Sequence, residues 1–260
     1  MKRAYADIPE GQMHYRTEGE GQPLLLLHMA VASSDEFVRP KRYLSRSYRA
    51  IALDFLGQGD SDPSPGQYQV LDHARTVVSF MDSLGIDKAI VVGHHGGSMM
   101  ATELAINWPE RVEKLVMSGL GLWGEPLGDG APEEPEDFLS RVEIEADGSH
   151  LMRWWRRAAV WGDNPPEIIE ERFLEYAKAG PRGEEMHWAN VAYDAKPRLP
   201  LITCPTLVIA ASEDPFYSHA GKVKSLIPNC KLAIIENGPL YLDRMMPKAY
   251  AEAILSYLKA

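Results

Sequence analysis

Cysteine is scarce in this chain: 260 residues contain two, Cys204 and Cys230. Two thiols make no disulfide framework, which excludes a small stapled fold and points to a reducing compartment. A positive charge excess is lacking too. Against 37 Asp and Glu stand 27 Lys and Arg, a net charge of -10. Nucleic acid and anionic membrane surfaces both need a basic patch, so neither is an expected partner. No apolar run reaches the ~20 residues of a membrane-spanning helix. Residues 1–7 hold no apolar signal core, and the expected location is the cytoplasm. Internal repeats and low-complexity tracts are lacking, and no histidine follows His219.

What is present is an alternation of strand and helix patterns. Segments 5–8 and 13–17 flank Pro9-Glu10-Gly11 and predict a β-hairpin. Segment 23–28, with four consecutive leucines, predicts a strand buried on both faces. Ser33 or Ser34 caps a short helix through Phe37. Further strands are predicted at 49–53, 88–92, 112–117, 206–211 and 231–235. Helices are predicted at 71–84, at 98–108 and at 219–226, with a last one over 247–258. This order implies a mostly parallel sheet with right-handed crossovers. After Gly119 the pattern changes. Residues 124–137 are rich in Gly, Pro and acid, and amphipathic helical material follows from 138 to about 193. It contains four of the six tryptophans, Trp154, Trp155, Trp161 and Trp188.

The stretch Val92-Gly93-His94-His95-Gly96-Gly97-Ser98 joins a strand to a helix. Its Gly-x-His-x-Gly turn resembles the G-x-S-x-G nucleophile elbow of the α/β-hydrolases, with His95 where serine would stand. Other segments resemble the same family. Leu26-Leu27-His28-Met29 is similar to its His-Gly turn. Asp54-Phe55-Leu56-Gly57-Gln58-Gly59-Asp60-Ser61 is similar to its D-x-x-G-x-G-x-S loop. Asn107-Trp108-Pro109-Glu110-Arg111-Val112 resembles its helix-to-strand joint. The segment from Pro205 to Pro215 resembles the strand that delivers the triad acid, at Asp214. The resemblance covers nearly the whole chain. It implies a single α/β-hydrolase domain over 1–260, an eight-stranded mostly parallel sheet, and an inserted helical cap over 122–199.

The departures are informative. Met29 replaces the glycine of the His-Gly turn. The family's triad histidine follows a glycine about seven residues before a proline. Counting back from Pro247 reaches Leu240. Serine and histidine are thus both missing, and one rearrangement accounts for both. An imidazole on residue 95 projects further than a serine hydroxyl, and it fills the place vacated at Leu240, where it meets Asp214. The expected catalytic pair is therefore His95 and Asp214, with no serine. The start of the following helix disfavours imidazolium and Asp214 favours it, so His95 is expected to titrate near neutrality and act as a general base or acid. The backbone N–H groups of Gly96 and Ala30 are the expected oxyanion donors. Trp123, Trp155, His187 and Trp188, with Leu240, are the expected substrate lining.

His28 and His94 read as packed histidines, because no carboxylate stands near them at metal-ligand spacing. Ser98 reads as a first-turn helix residue, Met99 and Met100 as core. No metal and no cofactor are expected. The expected partner is a small, apolar or aromatic organic substrate, handled by a monomer or homodimer. A lone base suits hydrolysis by activated water, and equally lyase, decarboxylase, C–C cleavage or rearrangement chemistry. The competing class is an inactive ligand-binding or sensor protein that keeps the pocket.

Overall fold

The computed structural model describes residues 1–127 and 140–259. Among the described residues, eight strands form one sheet: β1 (Lys2–Ile8), β2 (Gly11–Glu18), β3 (Pro23–Leu27), β4 (Arg49–Leu53), β5 (Ala89–His94), β6 (Val112–Ser118), β7 (Thr206–Ala211) and β8 (Cys230–Ile235). Their spatial order is β1-β2-β4-β3-β5-β6-β7-β8. The hairpin β1–β2 and the β2–β4 pair are antiparallel, and every other pairing is parallel. This is the eight-stranded, mostly parallel sheet expected from the sequence.

The helices are α1 (Val38–Leu44), α2 (Val70–Ser83), α3 (Gly96–Asn107), α4 (Ser149–Ala159), α5 (Pro166–Ala179), α6 (Glu185–Val191), α7 (Ala220–Leu226), α8 (Leu242–Met245) and α9 (Pro247–Lys259). The leucine run of β3 shows how they are arranged. Leu25 and Leu27 join the apolar layer under α2, α3 and α7, with Val77, Phe80, Leu104 and Val223. Leu24 and Leu26 join the layer under α1, α8 and α9, with Leu44, Leu242, Tyr250 and Ile254. Alternate side chains of a strand point to opposite faces, so a continuous apolar run is what a strand covered on both sides needs.

Some elements differ from the sequence expectation in detail. The turn after Ser33 is 3₁₀ over Ser34–Phe37, with the Ser33 hydroxyl accepting from Asp35 N–H, and α1 follows it directly. The four-residue α8 was not anticipated. Most of the acidic loop expected at 124–137, and the start of helical material at Phe138, fall outside the described residues.

Between β6 and β7 stand α4, α5 and α6. Helices α4 and α5 share a small apolar cluster of Trp154, Ala158 and Tyr176 with Val142, and Val31 of the main body joins it. Ion pairs tie α5 to the body: Glu171 to Arg39 and Arg244, and Glu175 to Arg244. The ends of β3 and β5 lie side by side, with Leu27 opposite Gly93. The chain leaves these two strands toward opposite edges of the sheet, and the crevice at such a switch point is where open α/β sheets bind ligands.

Candidate active site

The site is built on the turn from β5 into α3. His95 sits there with φ 45 and ψ -113, a left-handed backbone that non-glycine residues rarely adopt. Hydrogen bonds hold the turn in place. His95 N–H donates to Ser118 O at 2.8 Å, and Ser98 N–H donates to His95 O at 2.9 Å. The Ser98 hydroxyl donates to Gly93 O and Ser118 O at 2.9 and 3.0 Å, so it is a first-turn residue and faces no cavity.

The His95 ring reaches the end of β7. Its Nε2 lies 2.9 Å from Asp214 Oδ2, and both side chains are buried. The Nε2–H bond does not point along that line, so charge rather than a straight hydrogen bond holds the pair. Asp214 is oriented from its other oxygen, which accepts from Phe216 N–H at 2.8 Å. The imidazole is wedged edge-on between His94 and Phe216, at ring-centroid distances of 4.5 and 5.7 Å. Burial is the largest single influence and works against its charged form, but Asp214, together with smaller contributions from Glu36 and Asp243, outweighs it, and the net result is a pKa above the ordinary histidine value. With Nε2 facing Asp214, Nδ1 has no hydrogen bond among the described residues.

His95 opens onto a cavity of about 50 Å³, which Gly96, Ala30, Leu240, Trp123 and His187 also line. Larger surface clefts occur elsewhere, but neither the cleft beside Arg39 and Arg42 nor the one beside Tyr68 and His73 reaches His95. Gly96 N–H is the first of α3 and has no partner inside the helix. Ala30 N lies 3.2 Å from where a Cβ on Gly96 would stand, which brings the two backbone donors to one spot. The neighbouring Met29 N–H is turned away and donates to Glu36 at 3.1 Å. Leu240 packs with Trp161, Ile168 and Tyr241, filling its place with apolar bulk.

Two expected lining residues are elsewhere. Trp155 turns onto Phe173 between α4 and α5. Trp188 is absent from the cavity wall. On α6 it is His187 and Asn190, three residues apart on one helix face, that line the cavity, and Trp188 is rotated away from them. His28 is packed as expected, donating from Nδ1 to Met29 O at 2.7 Å and accepting Phe55 N–H at Nε2. His219 is also engaged, through Leu122 N and Pro126 O, and stands apart from the His95–Asp214 pair.

His94 has neighbours that sequence spacing does not reveal. Its Nδ1 is 2.9 Å from Glu36 and 3.5 Å from Asp243, all three side chains being fully buried. Desolvation pushes Glu36 up to about 7 and Asp243 up to about 6, and it pulls His94 down to about 3. Neutral His94 and a partly protonated carboxylate pair thus stand directly behind His95.

Several site residues escaped the sequence reading. Asn190, Arg172 and Phe216 line the cavity, beside Trp161 from the aromatic set of the inserted segment. Gly119, with φ 63, lies under the His95 ring. Only Gly119 carried a signal, as a glycine directly after a buried strand.

Comparison with known proteins places these features in context. The family described as alpha/beta hydrolase fold matches residues 22–240. A protein named "Putative carbamate hydrolase RutD" from Azorhizobium caulinodans is 25% identical over 97% of both chains. A 2-hydroxy-6-oxo-6-phenylhexa-2,4-dienoate hydrolase from Burkholderia cepacia is 27% identical over 86% of this chain and 82% of that protein. Among solved structures, the enol-lactonase from Burkholderia xenovorans LB400 superposes with a TM-score of 0.84 at 18% identity, covering 99% of this chain and 100% of that one.

Proposed function

Since the chain belongs to the α/β-hydrolase fold family and is an enzyme of it, we propose that it acts on a small organic carbonyl compound with His95 as general base and no serine nucleophile. The observation that carries this reading is the 2.9 Å contact between His95 Nε2 and Asp214 Oδ2. With Nε2 held beside the carboxylate at 2.9 Å, the neutral ring keeps its proton on Nε2 and its lone pair on Nδ1, the nitrogen with no partner among the described residues. Nδ1 takes a proton from water or from the substrate, and Asp214 stabilises the imidazolium that forms. The backbone N–H groups of Gly96 and Ala30 receive the developing oxyanion. Both substrates named for the relatives are carbonyl compounds, in keeping with such a site.

The cavity is small. At about 50 Å³ it is well below the ~150 Å³ that holds a benzene ring. Helices α4 to α6 act as a cap that closes over a compact reacting group and shields it from water. Trp123, Trp161 and Phe216 give it aromatic walls. The elbow position of His95 equally suits direct attack by Nδ1, forming an acyl-imidazole. A pre-steady-state burst of leaving group marks that route, and its absence marks activated water.

The test is turnover of a panel of small carbamates, esters and lactones by the wild type, His95→Ala and Asp214→Asn. Both variants are expected to lose about 10²-fold or more in kcat/KM. Full activity in His95→Ala contradicts the reading.

A further inference from the structure

The cap supplies a buried amide that nothing among the described residues satisfies. Asn190 of α6 is 3% exposed, and its Oδ1 has no hydrogen-bond partner. Its Nδ2 likewise has none among the described residues. A buried polar group is nearly always paired, and leaving one unpaired is costly, so an orphan of this kind in a cavity wall points to a ligand. The position of the amide is specific. Its Nδ2 lies 2.2 Å from where a Cβ on Gly96 would stand, next to Ala30 N at 3.2 Å from the same point. A side chain at position 96 would have to displace the Asn190 amide, which occupies that space. Three N–H donors, from Gly96, Ala30 and Asn190, meet at one end of the cavity. The unpaired Asn190 acceptor stands beside them.

We propose that Asn190 reads the substrate's reacting group, and that this group is a neutral carbonyl bearing an N–H on the same side as its oxygen: a primary amide, an unsubstituted carbamate, a urea or a lactam. The carbonyl oxygen accepts from Asn190 Nδ2 and the two backbone donors. The adjacent N–H donates to Asn190 Oδ1, closing a two-point amide–amide pair. Ordinary secondary amides are trans, with N–H and C=O on opposite sides, and cannot make both bonds. Carboxylates present acceptors only and meet Oδ1 with repulsion. Esters and ketones leave Oδ1 unpaired. The size of the cavity suits so compact a head group. This inference rests on the proposed oxyanion site and narrows its substrate class.

The test uses pairs of compact probes of matched shape: acetamide against acetone, and 2-azetidinone against cyclobutanone. Binding is followed by NMR titration in the His95→Ala background, where turnover plays no part. Each amide is expected to bind about tenfold tighter than its ketone, since only the amide satisfies Oδ1. Adding Asn190→Leu, close in volume but apolar, is expected to bring the ratio to about one. Equal affinities without the Leu change overturn the proposal, even if the Leu variant fails to fold. A preference that survives Asn190→Leu, or no measurable binding of either amide, overturns it as well. The result is independent of catalysis: loss of turnover in His95→Ala concerns the base, whereas the amide preference concerns Asn190 alone.

Discussion

Gly119 and His95 fit together as ring and floor. A Cβ on Gly119 would stand 2.4 Å from His95 Nε2 and within 2.7 Å of two ring carbons. The imidazole can therefore lie toward Asp214 only because position 119 has no side chain. Gly119→Ala is expected to displace the ring and to strain a backbone at φ 63. Activity should fall about 10²-fold, as misplacement of a catalytic group by about 1 Å does. Stability should fall by about 1–2 kcal/mol from the left-handed conformation. Rate measurements alongside urea unfolding separate the two effects.

The pH dependence follows from the direction of the His95 shift. A base works deprotonated, so kcat/KM should rise with pH through a value above 6.5, the ordinary histidine pKa. Asp214→Asn removes the charge that raises it and leaves the burial that lowers it. The rising limb should move to lower pH while the plateau drops. In stability, the protonated His95–Asp214 pair contributes fully below pH 6.5, and its contribution is lost as pH rises through the raised value. A pH–rate profile and a pH series of unfolding curves, each for both proteins, check the two statements.

Behind His95 the stability slope has the same sign, with burial as its cause. Glu36 is raised from 4.5 to about 7 by burial. The unfolded chain releases this proton first, so the Glu36 carboxyl weakens the fold as pH rises from 4.5 to 7. Glu36→Gln removes that loss. Relative to wild type, the variant should gain about 1–3 kcal/mol between pH 5 and pH 8. His94, lowered to about 3, acts the other way over pH 3 to 6.5 and is shared by both proteins. Unfolding curves at the two pH values decide the sign.

The same geometry shows which two changes would rebuild an ordinary triad. His95→Ser alone leaves Leu240 with no base to offer, so it should hydrolyse p-nitrophenyl acetate no faster than the wild type. His95→Ser combined with Leu240→His returns both missing groups beside Asp214, and it should gain esterase activity with a burst of p-nitrophenol. Strong esterase activity in the single variant contradicts the assignment of position 240.

Much of this was legible in the sequence because it rests on spacing along strands. The run Leu24–Leu27 dictates a strand covered on both sides. The glycines around His95 dictate a sharp turn. Counting from Pro247 to Leu240 links one missing histidine to one supernumerary one. What was not legible depends on which way helices face once docked. On α6, His187 and Asn190 face the cavity while Trp188, one residue on from His187, does not. Trp155 is bound up with Phe173 for the same reason. Glu36, His94 and Asp243 come together from three distant segments, and no local spacing announces them. Aromatic composition suggested a lined pocket, but composition alone does not choose among the tryptophans.

The central claim is that His95 and Asp214 form a working acid–base pair. It is tested most directly, with no need of a substrate, by NMR titration of the His95 imidazole in wild type and Asp214→Asn. The expected result is the Nε2–H tautomer in the neutral ring and a pKa above 6.5 in the wild type, falling below 6.5 when the carboxylate is removed. A pKa at or below 6.5 in the wild type, or one unchanged by Asp214→Asn, would contradict it.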